Sequence, residues 1–182
     1  MEDRYQYRLS KDQKWKIAQN LIDFLEKDSI LNAQTRRFIN DWIYTGPEEK
    51  RKAFFDVWDI VLSNYLPTTR PILFRACDRN SKKEKIASFT GRLESARRFS
   101  QGRGFLIICD TKELLDLEEK FYKTGEYKHT FYPLGSALVK ARKLGGCGFS
   151  KRLFNRYIGE DEYIMRTNLG NTHSLKWMKK DF

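Results

Sequence analysis

Apolar residues recur through the first third of the chain with the period of a helix. Trp15, Ala18, Leu21, Ile22 and Leu25 are spaced by three and four, so they fall on one helical face. Ser10 stands ahead of them as an N-cap, and Gln13 three residues on completes a capping box. A second stripe of Phe38, Ile39, Trp42 and Ile43 predicts a helix that stops near Gly46. Pro47 suits the first turn of a third, with Glu48 and Glu49 where the helix dipole favours acids. Phe54, Val57, Trp58, Val61, Leu62 and Tyr65 continue that third stripe. Periodic aromatics of this kind read as core packing, with a ligand cage as the less common alternative.

The pattern changes at LPTTRP, residues 66–71, where two prolines end the helical region. PILFRA (71–76) and IASFT (86–90) read as strands around the polar, basic loop CDRNSKKEK (77–85). Gly91 breaks the second strand, and RLESARRFS (92–100) carries a short amphipathic pattern of Leu93, Ala96 and Phe99. GFLIICDT (104–111) is the clearest strand of the chain. LLDLEEKFYKTG (114–125) and PLGSALVKARKLGG (133–146) read as helices, each ending at glycine. EYIMR (162–166) and HSLKWM (173–178) read as closing strands. The order predicts an α+β protein: a helical N-terminal region over residues 1–66 and a mixed body over 67–182.

Composition narrows the class. With 182 residues, 40% of them hydrophobic, the chain is long and apolar enough for one well-cored domain, which excludes a disordered chain. No apolar run approaches a membrane span, and the charged N-terminus lacks the apolar core of a signal peptide. The expectation is a cytoplasmic protein with no membrane partner. Cys77, Cys109 and Cys147 are scattered and odd in number. With only His129 and His173 beside them, they make neither a disulfide framework nor a recognisable zinc site. The net charge is +11, and it is unevenly placed. Residues 1–70 hold 12 Lys+Arg against 11 Asp+Glu, which leaves 23 against 13 for residues 71–182. That asymmetry favours an anionic partner for the C-terminal part, either nucleic acid or a phosphorylated small molecule.

Three polar features stand out against this background. Arg75 lies inside an apolar strand, where a half-buried guanidinium needs an anionic partner, and an internal salt bridge would suffice. Ser88 and Thr90 alternate on a strand and share a face, as edge hydroxyls with no task also do. Glu160 and Glu162, two apart in GEDEYIM (159–165), share a side if the strand begins there. A solvated acidic turn is the competing reading.

In sequence order these features resemble the mono-ADP-ribosyltransferase family of the Arg–Ser–Glu type. The matching pieces are LFRA with Arg75, SFTGRLESARRFS with Ser88 and Thr90, and EDEYIM with Glu160 and Glu162. The resemblance covers residues 71 to about 180. It implies a core of two packed sheets with short helices, NAD as co-substrate and no metal. It gives Glu162 the role of stabilising positive charge on the ribose as the nicotinamide bond breaks, as in glycoside chemistry. Glu160 would face the acceptor, orienting it or taking its proton. Arg75 would bind the phosphates or the nicotinamide ribose. Ser88 would shape the nicotinamide pocket, Thr90 would support the strand, and Phe99 would belong to the same cofactor site. The loop before Glu-x-Glu would present an aromatic to the acceptor, here Tyr157 or Phe154, alongside Arg156 and Arg152. The family most often has Ser-Thr-Ser where this chain has Ser-Phe-Thr, so both flanking hydroxyls are kept.

The first acid is glutamate, which in the family goes with arginine acceptors, although base-modifying members exist. Residues 135–159 contain Lys140, Arg142, Lys143, Lys151, Arg152 and Arg156 and no acid, and they lead directly into Glu160. Such an approach repels an arginine-rich peptide and attracts a phosphate backbone, unless these cations form only a solvated helix face. The favoured acceptor is therefore nucleic acid, RNA or DNA, or a protein bound to it. The alternatives are an NAD glycohydrolase, with water as acceptor, and a non-catalytic nucleic-acid-binding module. A toxin, defence or phage role fits a compact transferase, and a toxin would call for a neutralising partner.

Overall fold

The computed structural model describes residues 7–46, 50, 52–78, 86–121, 127–146, 148–166 and 172–177. The chain opens with three helices: α1 (Lys11–Glu26), α2 (Ala33–Tyr44) and α3 (Lys52–Asn64). Ser10 caps α1 through the predicted box, its hydroxyl accepting from Gln13 N while the Gln13 side chain accepts from Ser10 N. Asn32 caps α2 by accepting from Thr35 N. Pro47, Glu48 and Glu49 lie outside the described residues, and Lys50 is not helical, so α3 begins later than the proline suggested.

After the prolines come β1 (Ile72–Cys77), β2 (Ile86–Thr90), α4 (Leu93–Ser100), β3 (Phe105–Asp110) and α5 (Thr111–Phe121). β4 (Phe131–Tyr132), α6 (Leu134–Lys143) and α7 (Lys151–Tyr157) follow. A 3-10 turn over Ile158–Glu160 then leads into β5 (Glu162–Arg166) and β6 (Thr172–Lys176). α5 starts three residues earlier than its apolar pattern implied, because Asp110 ends the strand and accepts from Lys112 N at 3.0 Å. Neither α7 nor β4 was expected from the sequence.

The resemblance implied two packed sheets. The described strands instead form one antiparallel sheet of six, ordered β4-β5-β2-β1-β3-β6. Its middle is narrow: β2 and β5 pair over five residues and β1 and β3 over six, whereas β1 and β2 share the single pair Phe74↔Thr90. The sheet is therefore two well-bonded halves joined by one bridge.

Side chains alternate across it with the period of two that strands impose. Ile86, Tyr132 and Ile164 face a large core made with α1, α2, α3, α6 and α7. Leu73, Phe89, Ile107, Phe131, Tyr163 and Met165 face a second, smaller one with Leu114 and Leu115 of α5. The first core crosses the prolines at residues 67 and 71: Phe54, Trp58 and Leu62 pack in the same cluster as Leu138, Leu153 and Phe154. That shared core brings the end of α2 against the start of β5. No described helix is long and apolar enough to cross a membrane.

Candidate functional site

A cavity of about 440 Å³ opens where the two halves of the sheet part. Its floor comes from β1 (Phe74, Arg75, Ala76) and β2 (Ser88, Phe89, Thr90). Ala96 and Phe99 of α4 form one side, and Arg156, Tyr157, Glu160 and Glu162 another. Trp42, Ile43, Thr45 and Lys50 close it from the N-terminal region. The size is that of a small-molecule or cofactor site.

Glu162 opens β5 directly opposite Thr90, while Ser88 lies opposite Ile164. Ser88 and Glu162 are thus diagonal neighbours on one face, a spacing that a serine and a glutamate can bridge. The Ser88 hydroxyl donates to Glu162 Oε1 at 2.5 Å, and Trp42 Nε1 donates to the same oxygen at 3.2 Å. Burial pushes the Glu162 carboxyl above its ordinary pKa, against the opposing pull of these two donors and of the Lys50 ammonium. Burial also lowers Lys50, to about 8, and Glu162 is the charge that resists that fall. Lys50 Nζ stands 3.7 Å from the centroid of the Trp42 ring and donates to the carbonyls of Trp42 and Thr45.

Arg75 reaches into the gap between β1 and β2, where Nη1 donates to the Ser88 carbonyl at 2.7 Å. With one ladder pair between these strands, that carbonyl has the side chain of β1 as its partner. Among the described residues no carboxylate pairs with Arg75, so the internal salt bridge that would explain a buried arginine is not found there. Its pKa is lowered by burial. A desolvated guanidinium with four N–H groups left, facing a cavity, has the chemistry to hold an anion.

The turn carrying Glu160 is pinned from β2. Thr90, itself buried, donates to the Glu160 carbonyl at 2.5 Å and accepts from Arg92 N at 3.1 Å. Gly91 N donates to the Asp161 carbonyl at 3.1 Å. Asp161 takes a left-handed conformation (φ 48°), which turns the chain sharply between the two glutamates. The Glu160 carboxyl is raised by burial and by Glu162, against Arg98 and Arg156, and Arg98 Nη2 stands 3.9 Å from its Oε1.

Arg75, Ser88, Thr90, Phe99, Arg156, Tyr157, Glu160 and Glu162 therefore line one cavity, as a shared site required. Phe99 is at its edge, 56% exposed. Two expected acceptor residues stand elsewhere. Phe154 is buried in the main core edge-on to Phe149, because α7 is a helix, not a loop, and turns this residue inward with Leu153. Arg152 is exposed on the outside of α7 and does not line the cavity. Sequence reasoning missed Trp42 and Lys50. Trp42 sat in an apolar stripe and reads as core, and nothing in the local sequence sets Lys50 apart from other surface lysines. Among the described residues no group of three His, Cys, Asp or Glu side chains is placed to hold a metal ion.

What fold and site define at this level is an α+β protein with a cleft that combines an arginine with no carboxylate partner among the described residues, a buried glutamate held by donors, and a second glutamate at the rim. Comparisons with protein-family models, with curated proteins and with solved structures return no match to the chain.

Proposed function

We propose that the chain is a mono-ADP-ribosyltransferase of the Arg–Ser–Glu type, cleaving NAD at the nicotinamide–ribose bond and passing ADP-ribose to a macromolecular acceptor. One observation carries the reading: Arg75, without a carboxylate partner among the described residues, and Glu162, bonded to Ser88, face the same cavity from adjacent strands β1 and β2 and from β5. An anion-binding guanidinium beside a carboxylate is the pairing that a dinucleotide with a cationic leaving group calls for.

In this reading Arg75 holds the phosphates, and Ser88 keeps the Glu162 carboxylate turned toward the ribose. Glu162 stabilises the positive charge that grows on the sugar as nicotinamide leaves. Glu160, nearer the rim, orients the acceptor or takes its proton. Arg98 and Arg156 act on Glu160 from α4 and α7, so the acceptor's approach is positively charged. That charge, in a chain whose residues 135–159 hold six cations and no acid, favours a nucleic-acid acceptor or a protein bound to nucleic acid.

The test is incubation of the chain with NAD, following nicotinamide release and the intact mass of RNA, DNA and protein acceptors. The expected result is nicotinamide release with a gain of one ADP-ribose on nucleic acid, weakened by salt. Release with free ADP-ribose as the sole product would make the chain an NAD glycohydrolase. No release with any acceptor, while nucleic acid still binds, would leave a binding module and overturn the proposal.

A further inference from the structure

Trp42 belongs to the apolar stripe of α2, and its ring packs against Phe54, Phe55 and Trp58 with 2% exposure. Packing alone does not explain where its N–H points. Trp58, in the same cluster, keeps its indole nitrogen buried without a hydrogen-bond partner among the described residues, so burial of an indole here does not by itself dictate a partner for its nitrogen. The Trp42 nitrogen instead donates to Glu162, 120 residues away in sequence. Lys50 holds the same residue, its ammonium lying over the face of the indole and bonded to the α2 carbonyl of Trp42 itself.

A glutamate has three rotatable side-chain bonds. A single hydrogen bond to Ser88 leaves the carboxylate free to swivel about that contact, whereas a second donor from another element fixes its plane. Both donors here fall on Oε1, so Oε2 is the oxygen left for a ligand. We infer that Trp42 is a positioning residue for the reaction at Glu162, with Lys50 clamping its indole, so that the N-terminal helical region completes the site. The inference rests on the transferase reading for what Glu162 does, but not for how it is held.

Trp42→Phe deletes the N–H and keeps an aromatic ring in the core. In the full chain the variant should lower kcat for nicotinamide release about ten- to a hundredfold. KM for NAD should stay within about threefold, and Tm within a few degrees. The acid limb of its pH–rate profile should move to higher pH, since the ionised carboxylate has lost a donor. The other titratable groups facing Glu162 are Lys50, lowered to about 8, Tyr157, raised above its ordinary value, and Glu160. Of these groups the two glutamates are the carboxylic acids, and Glu162→Gln separates their titrations. An unchanged kcat and pH profile would overturn the inference.

A second measurement needs neither NAD nor turnover, and it stands even if the phenylalanine variant fails to fold. The indole N–H resonance of Trp42 in the native protein, assigned by NMR, should titrate with pH, and Glu162→Gln should abolish the larger part of that step. A resonance indifferent to both would sink the contact. If the native protein releases no nicotinamide but the resonance titrates, the transferase reading falls and the positioning contact survives.

Discussion

Glu162 takes hydrogen bonds from Ser88 and Trp42 on one oxygen, and both favour its ionised form while burial opposes it. Burial wins, so this carboxyl keeps its proton to a higher pH than an ordinary glutamate. Catalysis that needs the carboxylate should then rise with pH along an acid limb whose midpoint lies above 4.5. Ser88→Ala should push that midpoint higher still. A pH–rate profile for nicotinamide release checks both, and a midpoint at or below the ordinary glutamate value would contradict them. Replacing the charge altogether, in Glu162→Gln, should cut kcat by about a hundred- to a thousandfold while NAD affinity holds within a few-fold, because only the transition state needs the charge. Glu160→Gln should spare hydrolysis of NAD more than transfer, and equal losses would argue against dividing the roles. Arg75→Lys should weaken NAD binding about tenfold or more, as an ammonium cannot reproduce the planar fork, and unchanged affinity in a titration would take Arg75 out of the site.

Elements decide where these side chains meet. The start of β5 is squeezed between β2 and α6, and Gly135 near the start of α6 makes the approach possible. A Cβ there would lie 2.9 Å from Glu162 N and 3.1 Å from Asp161 Cα, both backbone atoms that cannot turn aside. Gly135→Ala should therefore displace the Glu-x-Glu turn, lowering kcat at least tenfold and stability by about 1–3 kcal/mol. Gly159, one residue before that turn, has open space around its missing Cβ, so Gly159→Ala serves as the control that leaves Tm nearly unchanged. Thermal melts and kinetics of the two variants separate crowding from loss of glycine as such. The long amphipathic elements were legible in sequence because each repeats its pattern over several turns: α1 with its capping box, the α2 and α3 stripes, and the apolar run of β3. α7 was not, since seven residues hold only Leu153 and Phe154 as inward positions, too few to establish a period. β4, two residues long, is too short to show alternation at all.

For the molecule as a whole, the site is a cost to the fold. A carboxyl whose folded pKa is raised binds its proton more tightly when folded, so stability is lost as pH rises from the unfolded value through the folded one. Above the raised folded value, native Glu162 is charged against that preference, even with the Lys50 ammonium nearby. Glu162→Gln should accordingly raise Tm at pH 7–8, with the gain shrinking as pH falls toward 4.5. Melting curves over that range, without NAD, check the sign; a variant less stable than the native chain at pH 8 would contradict it. The shared core that runs from the α1–α3 region into α6 and α7 is what holds such a site in place.

By itself the sequence determined the α+β class, the helical first third and most strands, since periodicity is written in neighbouring residues, while the motif resemblance singled out Arg75, Ser88, Thr90, Glu160 and Glu162, which the structure lines up on one cavity. Only the tertiary structure decided that the described strands form one sheet with a single bridge at its centre, that Arg75 has no carboxylate partner among the described residues, and that Phe154 is core. It alone also brought Trp42 and Lys50 to Glu162. Those outcomes depend on which surfaces bury each other, and a tryptophan in an apolar stripe carries no local mark of what its nitrogen will face.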